Sequence, residues 1–137
     1  MKTHSTNYEN TFIEIAEDCP VKEGQEPPKK GDKKSVANYQ YEMLKDNPYK
    51  YTSDDIFFIV FATRKAIDKK DWTAERQKFF SKGQPCFRAS PLTKRYGWGV
   101  HSNENGEVAI FGADTQEYRN FVADKTIRKV KAMKSKR

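Results

Sequence analysis

The stretch that decides the fold of this chain is YGWGVHSNENGEVAIF, residues 96–111. Residues 96–103 and 107–111 have the composition of two strands, and Asn105-Gly106 lies between them. Asn-Gly is a strong short-range hairpin signal because both residues tolerate positive φ. The stretch therefore predicts a β-hairpin late in the chain.

An earlier strand is predicted at residues 10–16 (NTFIEIA), with Phe12 on one face and Ile13 and Ile15 on the other. This strand would have to join the late hairpin. Residues 17–34 then contain three prolines, two glycines and many charges, which predicts a long loop. A loop of this length is either a functional flap or simply mobile.

Helical patterns follow the loop. Ser35 can cap a helix through residue 46, because apolar side chains between residues 36 and 44 recur on one face. Residues 56–62 (IFFIVFA) have the content of a buried strand. The acidic residues before them and the basic residues after them favour a buried helix over 53–66 instead.

Further elements are predicted towards the C-terminus. Residues 73–81 predict a helix that Gly83 ends, and residues 85–89 predict a short strand. Asp114 and Glu117 resemble a capping box for a helix through residue 123. In the basic segment 125–137, apolar residues at positions 127, 130 and 133 predict a short helix docked on the body.

The order of these elements predicts an α+β fold. We expect a small antiparallel sheet, made of the N-terminal strand and the C-terminal hairpin, packed with four to five helices. At 137 residues the chain fits a single domain, 1–137, with a basic C-terminal segment, 125–137. Two Trp, seven Tyr and nine Phe predict an aromatic-rich core.

The net charge of +7 is distributed unevenly along the chain. The segment from Lys125 to Arg137 holds seven basic residues and no acidic one, and residues 76–103 hold six and none. The rest of the chain is mildly acidic. Such asymmetry indicates anionic partners.

Several classes of protein and site are not expected. No apolar segment follows the first residue, and the longest apolar run has seven residues, so we expect a cytoplasmic protein with no membrane partner. Its cysteines, Cys19 and Cys86, should then be reduced. Together with His4 and His101 they lack metal-ligand spacing, and we expect no metal and no other cofactor.

The acid-free stretch suggests an anion site. Arg88, Lys94 and Arg95 could bind a carboxylate or phosphate through charged, directional donors. The alternative is that these bases pair with acidic residues of the body, including Glu104 and Glu107. The sequence leaves both interpretations open.

Aromatic residues of the first hairpin strand could add a flat contact. Tyr96 and Trp98 share one face of the strand, where they could stack on a ligand, or pack into the core. Gly97 and Gly99 leave the opposite face as bare backbone, which a helix or a ligand must cover. His101 is an even number of residues from both glycines, so it shares their face of the strand and could lie beside such a ligand.

Two other functions remain open. Cys86 lies near Arg88 and could be a nucleophile with His101 as its base, or be a plain buried thiol. The segment 125–137 could bind nucleic acid by counterion release, or a protein partner. The sequence does not establish whether the protein is an enzyme, and it does not give the oligomeric state.

Four segments carry a resemblance: NTFIEIAEDCP (10–20), YQYEML (39–44), GQPCFRASPLTKRYGWGVH (83–101) and KAMKSKR (131–137). They resemble a family of short, uncharacterised bacterial and fungal proteins, a domain of unknown function. The resemblance covers nearly the whole chain, and KGQPC…SPLTKRYGWG is its most specific part. It implies a self-standing domain, and it implies no reaction, cofactor or site residue.

Taken together, the residues predict a protein that binds an anionic, phosphate- or nucleotide-like ligand. Electrostatics would attract the ligand, and aromatic rings would supply the flat contact. The predicted pocket is lined by Arg88, Lys94, Arg95, Tyr96, Trp98 and His101.

Overall fold

The computed structural model describes residues 3–136, which form a four-stranded mixed sheet packed with five α-helices. This confirms the predicted α+β fold. The strands are β1 (Thr11–Glu14), β2 (Trp98–Ser102), β3 (Val108–Gly112) and β4 (Arg128–Lys131). The helices are α1 (Val36–Asp46), α2 (Ser53–Arg64), α3 (Trp72–Phe79), α4 (Pro91–Lys94) and α5 (Gln116–Ala123).

The sheet has the strand order β3-β2-β1-β4. The late hairpin is present as β2 and β3, and β1 joins it antiparallel to β2, as predicted. Phe12 pairs with His101, which pairs in turn with Ala109. The N-terminal strand therefore lies inside the sheet, between the hairpin and β4.

The three strands predicted for the sheet pair antiparallel with one another, as expected, whereas the prediction of a helix in segment 125–137 was wrong. This segment forms β4, which runs parallel to β1 and pairs Val130 with Ile13. The edge of β1 has unpaired backbone N–H and C=O groups, which a strand can satisfy and a helix cannot. A short helix is also only marginally stable by itself. Arg128 N donates to Asn10 O at 3.0 Å, and Ala132 N donates to Glu14 O at 2.9 Å.

The first two helices begin at capping boxes, which explains why local sequence located them well. Ser35 Oγ accepts from Asn38 N, and the Asn38 side chain accepts from Ser35 N. Thr52 and Asp55 make the same reciprocal pair at α2. The structure confirms that residues 56–62 are helical. The capping box starts the helix at Ser53, before the β-branched residues are reached, and this favours the helix over a strand.

Three local predictions need correction. Residues 85–89 form no strand; Phe87–Ala89 is a 3-10 turn, ahead of α4. The N-cap of α5 is Thr115, whose side chain accepts from Tyr118 N, because Asp114 instead accepts a hydrogen bond from Gly24 N at 3.2 Å. Helix α3 ends at Phe79, before Gly83 can act as its terminator.

Helices cover both faces of the sheet. On one face, Ile13, Val100 and Val108 pack with α1, α2 and α4 in the main core. On the other face, α5 lies close to β1 and β2, and its Tyr118 packs edge-on against Phe12 with ring centroids 5.0 Å apart. A smaller aromatic core joins α2 to α3.

The close packing of α5 depends on Gly99. A Cβ atom at this position would clash with Phe12 and would lie 2.6 Å from the Tyr118 ring. We expect Gly99→Ala to lower the free energy of unfolding by about 1–3 kcal/mol, the usual cost of overpacking. Urea denaturation of the purified variant measures this change.

Gly83→Ala is the matched control, because a Cβ there has His4 Nδ1 as its nearest neighbour, at 3.9 Å. This variant should keep the wild-type stability within about 0.5 kcal/mol. Equal stability of the Gly99 variant and the wild type would contradict the described packing of α5.

Burial raises the pKa of Tyr118 to about 12. Between the unfolded pKa of about 10 and the folded value, the unfolded chain loses this proton while the folded chain keeps it. Stability should therefore be complete below pH 10 and fall by on the order of 1–2 kcal/mol as the pH rises through this window. Urea unfolding of the wild type at several pH values between about 8 and 11 measures the decline.

Tyr118→Phe provides the comparison, because Tyr8 and Tyr49, whose pKa values are also raised, remain in both proteins. At neutral pH the variant should lose about 1 kcal/mol, since the Tyr118 hydroxyl accepts from Ile15 N at 2.9 Å. Above pH 10 its stability should fall less steeply than that of the wild type. If the free energy of unfolding fell equally steeply with pH in both proteins, the pKa of Tyr118 would not be raised by folding.

Candidate functional site

Strand β2 divides the predicted site residues between the two faces of the sheet. Trp98 is partly buried and packs against the main core, whereas the His101 ring packs against Phe121 of α5. The His101 ring stacks on Phe121 with centroids 4.2 Å apart, and its Nδ1 lies 2.7 Å from the Tyr49 hydroxyl. Burial lowers the pKa of His101, which keeps the imidazole neutral at pH 7. The bare face that could have held a ligand is thus covered by a helix.

The long loop 17–34 covers Trp98. The indole Nε1 donates to Gln25 O at 2.8 Å, and the ring centroid is 5.5 Å from that of Tyr41. Gln25 N also donates to the carbonyl of Tyr96 at 2.8 Å. A Cβ atom on Gly24 would lie 2.9 Å from the indole, so loop and ring are in direct contact. The Trp98 ring is therefore a packing surface for the loop.

The predicted basic residues lie elsewhere. Arg88 Nε donates to Lys131 O at 2.8 Å, and Arg88 O accepts from Met133 N at 2.8 Å. Arg88 therefore binds the backbone at the end of β4. Lys94 and Arg95 lie at the end of α4. Within residues 3–136, none of these three bases forms an ion pair. The six predicted residues are thus spread over the β4 edge, the end of α4, the loop and the α5 face.

Cys86 and His101 are also separated. Cys86 Sγ lies 3.7 Å from the Tyr8 hydroxyl, on the side of the sheet occupied by α1 and α2. Burial and this contact raise the pKa of Tyr8. His101 lies on the α5 face, and no hydrogen bond between residues 3–136 joins it to Cys86. A thiol–imidazole couple is therefore not assembled.

The structure shows a cavity of about 280 Å³ that the sequence did not reveal. It lies between α1, α2 and the segment 84–91, and we call it the helix-face cavity. Its wall is mainly apolar, with a few polar groups among the rings and methyl groups. It is lined by Val36, Gln40, Phe57, Val60, Phe61, Arg64, Gln84, Pro85, Cys86, Ala89, Ser90 and Pro91.

Gln40 is the buried polar group of this cavity. The residue is only 1% exposed, and its Oε1 accepts from Ser90 Oγ at 2.7 Å. This is its single side-chain hydrogen bond within residues 3–136, which leaves the amide N–H groups available to a ligand. Burial of an amide is costly unless it is hydrogen-bonded.

Arg64, the last residue of α2, connects the helix-face cavity to a polar recess of about 440 Å³. We call this the cationic recess, because three bases and one acid line it. Lys34 is partly neutralised by Glu42, whose Oε1 lies 2.8 Å from its Nζ. Within residues 3–136, Arg64 has no ion-pair partner. The recess is lined by Asp32, Lys33, Lys34, Tyr39 and Arg64.

One signal for the cavity was present in the sequence. Gln40 occupies the apolar face of α1 together with Ala37, Tyr41 and Leu44, all of them buried. A polar residue at a core position of a helix indicates a buried hydrogen bond or a ligand contact. The charge pattern predicted an anion site within residues 76–103 instead, and Arg64 lies outside that stretch.

The C-terminal segment is held by acidic residues of the long loop. Asp18 Oδ2 accepts from Ser135 N at 2.9 Å and from Lys136 N at 2.8 Å. The hydrogen bond from Lys136 lowers the pKa of Asp18.

Glu17 holds the same segment through ion pairs. Its carboxylate lies 3.4 Å from Lys131 Nζ and 3.2 Å from Lys134 Nζ. Hydrogen bonds from these lysines lower the pKa of Glu17. Two of the bases of this segment are therefore partly neutralised within the protein, and nucleic-acid binding through it remains a prediction.

These features define a class: an α+β protein with a mixed sheet and a cavity of about 280 Å³ between α1, α2 and the segment 84–91. The family described as a family of unknown function (DUF6157) matches residues 3–137, and the chain belongs to that family. Comparison with curated proteins and with solved structures gave no significant match.

Residues 3–136 contain no group of three His, Cys, Asp or Glu side chains that could hold a metal ion, and no helix long and apolar enough to cross a membrane.

We expect Asp18→Ala to release the end of the chain. The amides of Ser135 and Lys136 would lose their acceptor, so their hydrogen exchange should accelerate severalfold, because exchange follows local opening. In the wild type the same release should occur only when the pH falls through the lowered pKa of Asp18. Amide exchange measured by NMR reports both effects.

Glu9→Ala is the control for the change in net charge. Within residues 3–136 the Glu9 side chain forms no ion pair, so its removal should leave both amides unchanged. Equal exchange rates in the Asp18 variant and the wild type would show that the carboxylate does not hold the segment.

Proposed function

We propose that this protein binds a small amphipathic organic anion in the helix-face cavity. The observation that supports the proposal is the position of Arg64, which lines both the apolar cavity and the cationic recess. A ligand could place its apolar body inside and its charged group against this guanidinium. The proposal retains the predicted anionic ligand and changes the residues that would bind it.

The apolar body would pack against Phe57, Val60 and Phe61 of α2. Removing apolar surface from water contributes roughly 25 cal/mol per Å². The cavity volume of about 280 Å³ lies near the lower end of ordinary ligand pockets, so the body is the size of one ring or a short chain. The free amide of Gln40 would hydrogen-bond a carbonyl or hydroxyl group of that body.

The charged group would be a carboxylate or a phosphate. A guanidinium binds either group through two parallel N–H···O bonds, which fixes orientation as well as charge. Lys33 adds a second positive charge in the cationic recess. The long loop therefore contributes to the site through its C-terminal end, which supports the idea of a functional flap.

The expected cytoplasmic location is part of this proposal. It is supported by the two cysteines, since Cys19 and Cys86 are both free thiols. Cys86 lines the cavity beside the proposed ligand body. A reduced compartment would keep this thiol as a small apolar group.

Matched ligand pairs test the proposal. Octanoate, benzoate and phenyl phosphate are titrated calorimetrically beside the uncharged octanol, benzyl alcohol and phenol. At least one anion should bind the wild type more tightly than its uncharged partner. Arg64→Gln should weaken that anion by about threefold to tenfold and leave the uncharged partner unchanged, because only the charge contact is lost.

Two further variants complete the design. Ala89→Phe, which fills the cavity, should abolish binding of both members of a pair, provided its thermal unfolding remains cooperative. Arg95→Gln is the control, since it removes an equal charge at the end of α4. Weakening by Arg95→Gln but not by Arg64→Gln would overturn the proposal and favour the originally predicted pocket. Absence of binding by all three anions would also overturn it.

A further inference from the structure

A second cavity, of about 540 Å³, lies between the N-terminal segment, the first turn of α2 and helix α3. We call it the strap cavity, after the N-terminal segment 3–7, the strap, whose Thr3 and His4 line it. His4 N donates to Phe80 O at 2.8 Å, and Thr6 N donates to Asp54 Oδ1 at 2.7 Å. These bonds attach the strap to both helices, so the walls are held in place before any ligand arrives.

One wall carries a positioned guanidinium. Arg76 Nη1 lies 2.9 Å from Asp55 Oδ1, and the guanidinium carbon lies 5.6 Å and 5.9 Å from the ring centroids of Phe80 and Phe58. The ion pair and the rings fix its orientation. Within residues 3–136 its other N–H groups donate no hydrogen bond, so they remain available to a ligand.

The other wall carries a carboxylate. Asp54 Oδ1 accepts two hydrogen bonds from Thr6, whereas Oδ2 accepts one bond, from Ser5 Oγ at 2.8 Å. Oδ2 can therefore accept a further hydrogen bond. Asp54 and Arg76 line the same cavity but do not form an ion pair with each other.

We propose that the strap cavity binds a small zwitterion, a free α-amino acid or a dipeptide. Its carboxylate would bind Arg76 and its ammonium group Asp54, with the Phe80 ring below its side chain. A simple anion would be repelled by Asp54, and a simple cation by Arg76. Only a ligand that carries both charges satisfies both walls.

The proposal is tested on the full chain by calorimetric titration of L-leucine and L-leucyl-L-leucine. N-acetyl-L-leucine lacks the ammonium group, and L-leucine amide lacks the carboxylate. At least one zwitterion should bind about tenfold more tightly than either blocked compound, because each blocked compound leaves one charged group unpaired. Equal binding of zwitterionic and blocked compounds, or no binding of either zwitterion, would overturn the proposal.

Variants locate the site and separate it from the helix-face cavity. Arg76→Gln should weaken the zwitterion about tenfold, and Arg76→Lys, which keeps the charge but loses the planar fork, should weaken it less. Arg64→Gln should leave zwitterion binding unchanged, since that residue belongs to the other cavity. Thermal unfolding of each variant shows whether loss of the Asp55 contact affects the fold. Zwitterion binding that depends on Arg64 and not on Arg76 would refute the assignment.

Discussion

The close approach of α5 to the sheet above Gly99 is the constraint on which the rest of the structure depends. With no side chain at this position, Tyr118 reaches across β1, and its hydroxyl accepts from Ile15 N at 2.9 Å. One turn later, Phe121 stacks on Phe12 with ring centroids 5.0 Å apart. These ring contacts cover Phe12 and His101 on the α5 face of the sheet. The helix-face cavity lies on the opposite side of the sheet, which α1 and α2 cover.

Helix α2 organises that opposite side. Ile56 and Val60 pack in the main core, whereas Phe58 and Ala62 pack in the small aromatic core with α3. A helix that is apolar all round must be covered on every side, and coverage by short segments leaves gaps. The two cavities lie at such gaps, the strap cavity at the first turn of α2 and the helix-face cavity along its C-terminal half. Both candidate sites thus border α2, a helix with apolar residues on every side.

Local signals predicted most of the fold, and long-range pairing accounts for most of the errors. The hairpin and the capped starts of α1 and α2 depend on residues within four positions of one another, so the sequence contains the necessary information. Strand β4 depends on the free edge of β1, more than 100 residues earlier in the chain, and its own apolar spacing indicated a helix. Strand parity correctly put His101 with Gly99, but parity cannot show that α5 covers that face. The six residues of the predicted pocket do not lie together in the structure, because charge density along a chain does not reveal which side chains converge.

The parallel pairing of β4 with β1 has a consequence for how the protein is made. β1 lies in the interior of the sheet, yet the strand that covers its second edge is Arg128–Lys131. During synthesis, β1 and the hairpin are made before β4, so one edge of β1 stays open until residues 128–131 are available to pair with it. An open edge next to Ile13 is a template for intermolecular pairing. Completion of the sheet therefore waits for the last of its four strands, and a nascent chain that stalls before residue 128 keeps one edge of β1 unpaired.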